Sequence, residues 1–448
     1  MQLARAVADG ILVPWRKAEP EHFKTAAELL TIDKGGLTFM PPVGLHARVA
    51  EVDFASMYPT IMAVHNISPE TVNCSCCSGE RARSEVVVGA TRQVAPSFNN
   101  PVPEAGYRVC RRREGLVPRT LRPILALREQ LKARAKEAGP AAGRPYRERQ
   151  NALKWMLVTC FGYLGYKNAR FGRIEAHEAV TAYGRDKLLC AKETFEVAGF
   201  RVLHGLTDCL WVQKAVPGSG RSGPMGPLSG KRPSRLAALD AAELEDLCAR
   251  VSAATGVKLA LEGVYRWICF MPSKQDPQRP VATRYFGVFE DGSLKVRGLM
   301  CRRRDTPPFV RRAQEAMLQK LTEAATAADL MALRPHLAEM AAGFRQRLRE
   351  GGLAPRELVI TRVLSQKVED YRVDTPTALA ARQLQAAGIQ IQPGEKVRYI
   401  QREGRRGPKE CRIQAAPFVE TLDDYDTKLY LELLERAVEE VMLPLGNP

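Results

Sequence analysis

Two carboxylates far apart in the chain stand where they could share metal ions. Asp53 lies in Glu51-Val52-Asp53-Phe54-Ala55-Ser56-Met57-Tyr58-Pro59, and Asp208 lies in His204-Gly205-Leu206-Thr207-Asp208-Cys209-Leu210-Trp211. Between them a basic helical segment ends in Lys154-Trp155-Met156-Leu157-Val158-Thr159-Cys160-Phe161-Gly162-Tyr163. Two divalent ions need shared acidic ligands, and a triphosphate held against them needs cations opposite. The order carboxylate, basic helix, carboxylate therefore suits nucleotidyl transfer. Each residue also has a plainer reading: Asp53 as a strand-end residue capping the next helix, Asp208 as a turn residue, the lysines as a solvated helix face.

The elements that must hold these residues can be read from periodicity. Residues 47–52 read as a buried strand, and 56–65 as a helix with Pro59 in its first turns. Residues 119–138 and 146–160 carry helical periodicity on either side of a Gly/Pro-rich break at 139–145, which predicts an antiparallel helical hairpin. A further helix is expected over 175–198. Two short strands, 201–204 and 209–213, follow around a tight turn that holds Asp208. Residues 217–234, rich in Gly, Pro, Ser and basic residues, read as a mobile loop. Strands are expected in 259–304, including 284–289 and 293–297 around Asp291-Gly292. Helices dominate from Pro308 to 427–442, with a domain boundary near Thr306.

With 448 residues, 45% of them hydrophobic, the chain can bury more than one core. Lys and Arg number 67 against 50 Asp and Glu, a net charge of +17, which is the footprint expected of a nucleic-acid-binding surface. No secretory leader is read at Met1-Gln2-Leu3-Ala4-Arg5, and no apolar run approaches a membrane span. The eleven cysteines are therefore expected to be mostly free thiols in a reducing cytoplasm. Cys160, Cys190, Cys248 and Cys269 read as small core residues.

Taken together, Asp53 to Ile61, Lys154 to Gly162 and His204 to Cys209 resemble, in order, the three polymerase motifs of B-family DNA polymerases. Lys295-Val296-Arg297-Gly298 and Arg303-Arg304-Asp305 extend the match, which runs from near Trp15 to the C-terminus. The resemblance implies an α+β right-hand architecture: a mixed palm sheet, helical-hairpin fingers and a mostly helical thumb. The corresponding segments are 1–45 as lead-in, 46–110 and 166–305 as palm, 111–165 as fingers and 306–448 as thumb. It also implies template-directed addition of dNTPs to a primer 3′ end, with two Mg2+ ions for which Mn2+ can substitute. The alternative is a weakened or inactive polymerase-like subunit that only binds DNA. With no room for an exonuclease before Asp53, proofreading is expected to be absent or on another chain, and a sliding clamp is a further expected partner. Localisation would be cytoplasmic, on the nucleoid.

By the same resemblance Asp53, Asp208 and the Phe54 carbonyl would be metal ligands. Ser56 and Met57 would offer backbone N–H groups to the triphosphate, and Tyr58 would exclude a 2′-hydroxyl. Arg128, Lys132 and Lys154 would grip the phosphates, and Phe161 would stack under the nascent pair. Arg284, Tyr285, Lys295, Arg297, Arg303 and Arg304 would contact primer–template, with Arg362, Lys367 and Tyr371 as weaker candidates. The chain departs from the family's usual residues at Leu206, where an Asp is common, and at Val158, Thr159 and Phe161, where Asn, Ser and Tyr are usual. These departures resemble the divergent second archaeal group and its bacterial relatives, some linked to translesion synthesis and repair. Finally, Cys74, Cys76 and Cys77 with Cys110 form either a tetrahedral zinc site, on an excursion from the palm over 78–107, or reduced surface thiols. Their spacing leaves both readings open.

Overall fold

In a computed structural model the described residues are 1–17, 24–32, 34–77, 101–214, 239–403, 412–420 and 424–445. The expected loop over 217–234 and most of the excursion over 78–107 lie outside them. The chain divides into two compact units. The first comprises Met1–Phe39, Ala50–Ala215 and Ala237–Glu262; the second comprises Met40–Val49 and Gly263–Pro448. The expected switch near Thr306 falls inside the second unit.

The first unit holds an antiparallel sheet in the order β1-β3-β4-β2. Its strands are β1 (Thr38–Phe39), β2 (Gly44–Phe54), whose residues up to Val49 belong to the second unit, β3 (Phe200–Leu206) and β4 (Cys209–Lys214). Val49, Ala50, Val52 and Leu210 to Val212 are buried, so β2 and β4 are covered on both faces. Register sets Asp53 opposite Cys209 and Glu51 opposite Trp211. Helix Met57–Val64 follows β2 at once. Helices Leu116–Glu137 and Arg144–Leu164 form the expected hairpin, and the Gly/Pro break between them itself makes a short helical turn, Gly139–Ala142.

Helix Ile174–Val197 is the buried axis of this unit. It carries charged residues inward, and each finds a partner. Glu178 accepts from the Tyr107 hydroxyl at 2.6 Å and pairs with Lys24. Arg185 donates to the Gly35 carbonyl at 2.7 Å and to Glu104 at 3.2 Å. Cys160, Cys248 and Cys269 are buried as expected; Cys190 is half-buried.

The second unit contains the antiparallel meander of β5 (Leu259–Pro272), whose first four residues belong to the first unit, β6 (Pro280–Phe289) and β7 (Leu294–Arg297). A second sheet of β8 (Ile360–Val363), β9 (Lys396–Gln401) and β10 (Ile413–Ala415) lies among the helices. Helices dominate there as the sequence suggests, but its pattern names no strand in this stretch. One apolar core runs from Trp267 and Phe286 through Val310 and Met317 to Leu434 and Val441.

Glu440 is the polar pin of that core. It is 6% exposed and accepts from Arg284 at 2.8 Å, the Met300 N–H at 2.8 Å and Gln314 at 3.0 Å. Removing it strands a half-buried guanidinium and a buried amide. Glu440→Ala is therefore expected to cost about 3 kcal/mol or more in denaturant unfolding. A loss below about 1 kcal/mol would show that water replaces the carboxylate.

Candidate active site

The site is built where two strand ends meet. β2 delivers Asp53 at its last turn of pleat, and the two-residue Thr207–Asp208 turn between β3 and β4 delivers the second carboxylate beside it. The Phe54 N–H donates to the Asp208 carbonyl at 2.9 Å, which ties the turn to the end of β2. Thr207 takes a positive φ of 59°, costly for a β-branched residue. Its N–H is held by the Leu37 carbonyl at 2.9 Å. Gly36 passes so close that an added Cβ would lie 3.0 Å from the Thr207 hydroxyl oxygen.

The side-chain ligand atoms of Asp53, Asp208 and Cys209 all lie within 4.8 Å of one another. Burial and the neighbouring Asp208 charge push the Asp53 carboxyl up to about 7. Burial likewise raises Asp208, while Lys154 works against that rise. Asp53 Oδ1 is buried with no hydrogen-bond partner, so Asp53 is not acting as a helix cap through that atom. Two crowded carboxylates, one oxygen of them unsatisfied, fit a hard divalent cation. The Phe54 residue lines the same cavity. Cys209 was not singled out in the sequence; its thiol lies 3.6 Å from Asp208 Oδ1, and its adjacency to Asp208 was the available signal.

Opposite the carboxylates lie the expected cations. Arg128, Lys132 and Lys154 line one cavity of about 290 Å³ with Asp53, Asp208, Ser56, Met57, Tyr58 and Phe161. Arg128 is buried and donates to the Ser56 hydroxyl. Lys132 is more open and pairs with Glu129 at 3.3 Å, and Lys154 is exposed. Val158, 50% exposed, also faces this cavity and offers it only methyl groups.

Ser56 occupies the left-handed region at φ 49°, ψ 47°, just before helix Met57–Val64. The first helical bond is donated by the Thr60 N–H to the Ser56 carbonyl at 3.0 Å, so the N–H groups of Met57 and Tyr58 belong to the open first turn. Tyr58 packs against Phe161 with ring centroids 4.4 Å apart, and Phe161 stacks on His177 at 4.1 Å. Burial and the Asp208 charge push the Tyr58 phenol up to about 12, so it stays neutral. At Gly184 an added Cβ would come within 2.9 Å of the Tyr58 ring. Neither His177 nor Gly184 carried a sequence signal for this role.

The residues expected on DNA are spread differently. Tyr285 is 4% exposed and packs near Phe270, and Arg284 is spent on Glu440, so these two serve the interior of the second unit. Lys295 lies over the Phe289 ring at 5.9 Å. Arg303 and Arg362 both pair with Asp305, at 2.9 and 3.0 Å. Arg297, Arg304 and Lys367 are exposed, and the Tyr371 hydroxyl bonds Ser365 at 2.9 Å. Among the described residues no helix is long and apolar enough to cross a membrane.

Known proteins share this chain's sequence and fold. The chain is 29% identical over 324 residues to DNA polymerase 2 of Saccharolobus solfataricus, covering 72% of this chain and 41% of the relative. It is 27% identical over 415 residues to a DNA polymerase of a Thermococcus species, covering 92% and 47%. Among solved structures, the family B DNA polymerase of Pyrobaculum calidifontis shares the fold at a TM-score of 0.58 and 24% identity, covering 100% of this chain and 50% of that one. The chain thus spans about half the length of the relatives it matches, and its short lead-in before Asp53 says nothing about an exonuclease elsewhere. The model of the family described as DNA polymerase family B matches residues 3–215 and 240–445. The chain, an α+β fold with the motifs in order, belongs to DNA polymerase family B.

Proposed function

We propose that this chain carries out template-directed DNA synthesis, adding dNTPs to a primer 3′ end. One observation carries the reading: two converging half-buried carboxylates, one with an unsatisfied buried oxygen, facing three cations across a single cavity. Asp53, Asp208 and the Phe54 carbonyl would hold divalent ions, Mg2+ or Mn2+. Such ions, when bound, activate the attacking hydroxyl and offset charge on the phosphoryl oxygens. The chain's own residues do the rest. Arg128, fixed by Ser56, and Lys132 and Lys154 neutralise the triphosphate and the departing pyrophosphate. The Met57 and Tyr58 N–H groups point from an open helix start suited to phosphate oxygens. Tyr58, wedged between Phe161 and Gly184, presents its ring where a deoxyribose would sit.

In this reading residues 46–110 and 166–305 act as palm, 111–165 as fingers and 306–448 as thumb. Arg297, Arg304 and Lys367, exposed in the second unit, would follow primer–template phosphates. Leu206 leaves the site with one fewer carboxylate than most relatives, and Val158 gives the triphosphate no hydrogen bond. Looser nucleotide positioning follows, a property that suits synthesis past damaged templates.

Three outcomes test the reading. Asp53→Asn or Asp208→Asn should reduce primer extension at least about 100-fold. Absence of extension by the parent chain with Mg2+ or Mn2+, with salt-sensitive DNA binding retained, would favour a purely binding role. Tyr58→Ala should raise ribonucleotide incorporation about tenfold or more relative to dNTPs; an unchanged ratio would remove the steric role. Stability gives a third check. Asp53 holds its proton in the folded, metal-free protein well above the ordinary value of 3.8. The folded state therefore binds more protons than the unfolded one, and stability falls as pH rises from about 4 through about 7. Without added divalent cation, Asp53→Asn should be more stable than the parent at pH 8 by about 1–2 kcal/mol, and the difference should shrink toward pH 4. A destabilised variant at pH 8 would contradict the crowding of the two carboxylates.

A further inference from the structure

A second cluster of metal-ligating side chains lies in the first unit, separate from the two carboxylates. Cys74, Cys76 and Cys77 sit on and beside a single turn, Ser75–Cys77, and Cys110 returns to them from 34 residues beyond Cys76. All four sulfurs lie within 4.8 Å of one another. Cys76 Sγ is 3.3 Å from Cys74, 3.9 Å from Cys77 and 3.4 Å from Cys110, and Cys77 is 3.8 Å from Cys110. A zinc ion bound by four thiolates at ~2.3 Å places its sulfurs about 3.8 Å apart, close to this spread. A disulfide needs sulfurs at about 2.05 Å, and no pair here approaches that. An iron–sulfur cube would stand between the cysteines and hold their sulfurs well out of mutual contact.

The backbone around the cluster is fixed independently of any metal. The Cys110 N–H donates to the Thr71 carbonyl at 2.8 Å, and the Asn73 N–H to the Arg108 carbonyl at 2.8 Å. Val72 and Val109 form an antiparallel bridge. The Asn66 side-chain amide donates to the carbonyls of both Cys110 and Arg113 at 2.9 Å. The N–H groups of Arg112 and Arg113 donate toward the Cys110 sulfur, an arrangement that favours a thiolate ligand. Four thiolates around Zn2+ carry a net charge of −2, and Arg108, Arg111, Arg112 and Arg113 supply exposed cations beside it.

We propose that Cys74, Cys76, Cys77 and Cys110 bind one structural zinc ion that fastens the segment after helix Met57–Val64 to the start of helix Leu116–Glu137. The second helix carries Arg128 and Lys132, so the ion would brace the base of the element that presents those cations. Binding displaces the four thiol protons to solvent and involves no oxidation. The proposal is independent of nucleotidyl transfer, because it is read from metal content and spectra.

Elemental analysis of the protein purified without chelator should find about one zinc per chain. Cys110→Ser and Cys74→Ser should each lower that to below about 0.1–0.2, and the Asp53→Asn/Asp208→Asn double variant should keep it. Replacing zinc by Co2+ in the parent chain should give the intense visible bands of a tetrahedral thiolate site. Zinc below about 0.1 per chain together with no such bands would overturn the proposal. So would stoichiometric iron with acid-labile sulfide, or a deficit of two or four titratable thiols that reductant restores. The parent-chain measurements decide the matter even if a cysteine variant fails to fold.

Discussion

Everything at the candidate active site follows from the forced approach of two like charges. β2 ends on Asp53, the β3–β4 turn ends on Asp208, and the backbone bond from Phe54 to Asp208 fixes their separation. Burial denies both carboxylates the water that would screen them, and the result is an Asp53 carboxyl near neutrality. A protein has no stability reason to build such a pair. The cost is offset only when cations arrive, which is why the strained Thr207 turn, the close pass of Gly36 and the unsatisfied Asp53 oxygen are best understood together.

The cationic side of the cavity is organised in the opposite sense. Arg128 is buried and anchored on Ser56, whereas Lys154 is exposed on the neighbouring helix. One cation is therefore held by a neighbouring side chain, and the other extends into solvent. Tyr58 is similarly fixed, with Phe161 on one side and the bare backbone of Gly184 on the other. A side chain at 184 could be accommodated only by shifting that ring.

Much of this was legible in the sequence because it is local. The strand before Asp53, the hairpin around Asp208 and the two basic helices each announce themselves within about twenty residues through periodicity and turn residues. What stayed hidden depends on distant partners. The pairing of Arg284 with Glu440, 156 residues on, leaves no trace in the local pattern around Arg284. Gly184, inside the helix expected over 175–198, gives no sign of its role until Tyr58 is placed against it. Cys74, Cys76, Cys77 and Cys110 could be grouped in the sequence, but their uncommon spacing left zinc and free thiols both open until the four sulfurs were placed together. The sheet of β8, β9 and β10 was missed since its strands are three to six residues long and set among helices.

The most direct test of the central claim is a proton count on metal binding. Mn2+ titrated into the protein by calorimetry, in buffers of different ionisation enthalpy, reports the protons released per ion. If Asp53 and Asp208 crowd one another as described, binding at pH 6 should release close to one proton, falling toward zero above about pH 8. The Asp53→Asn protein should release almost none at either pH. Tight Mn2+ binding with no proton release at pH 6 would mean that the carboxylates are already ionised and apart, and the account would fail.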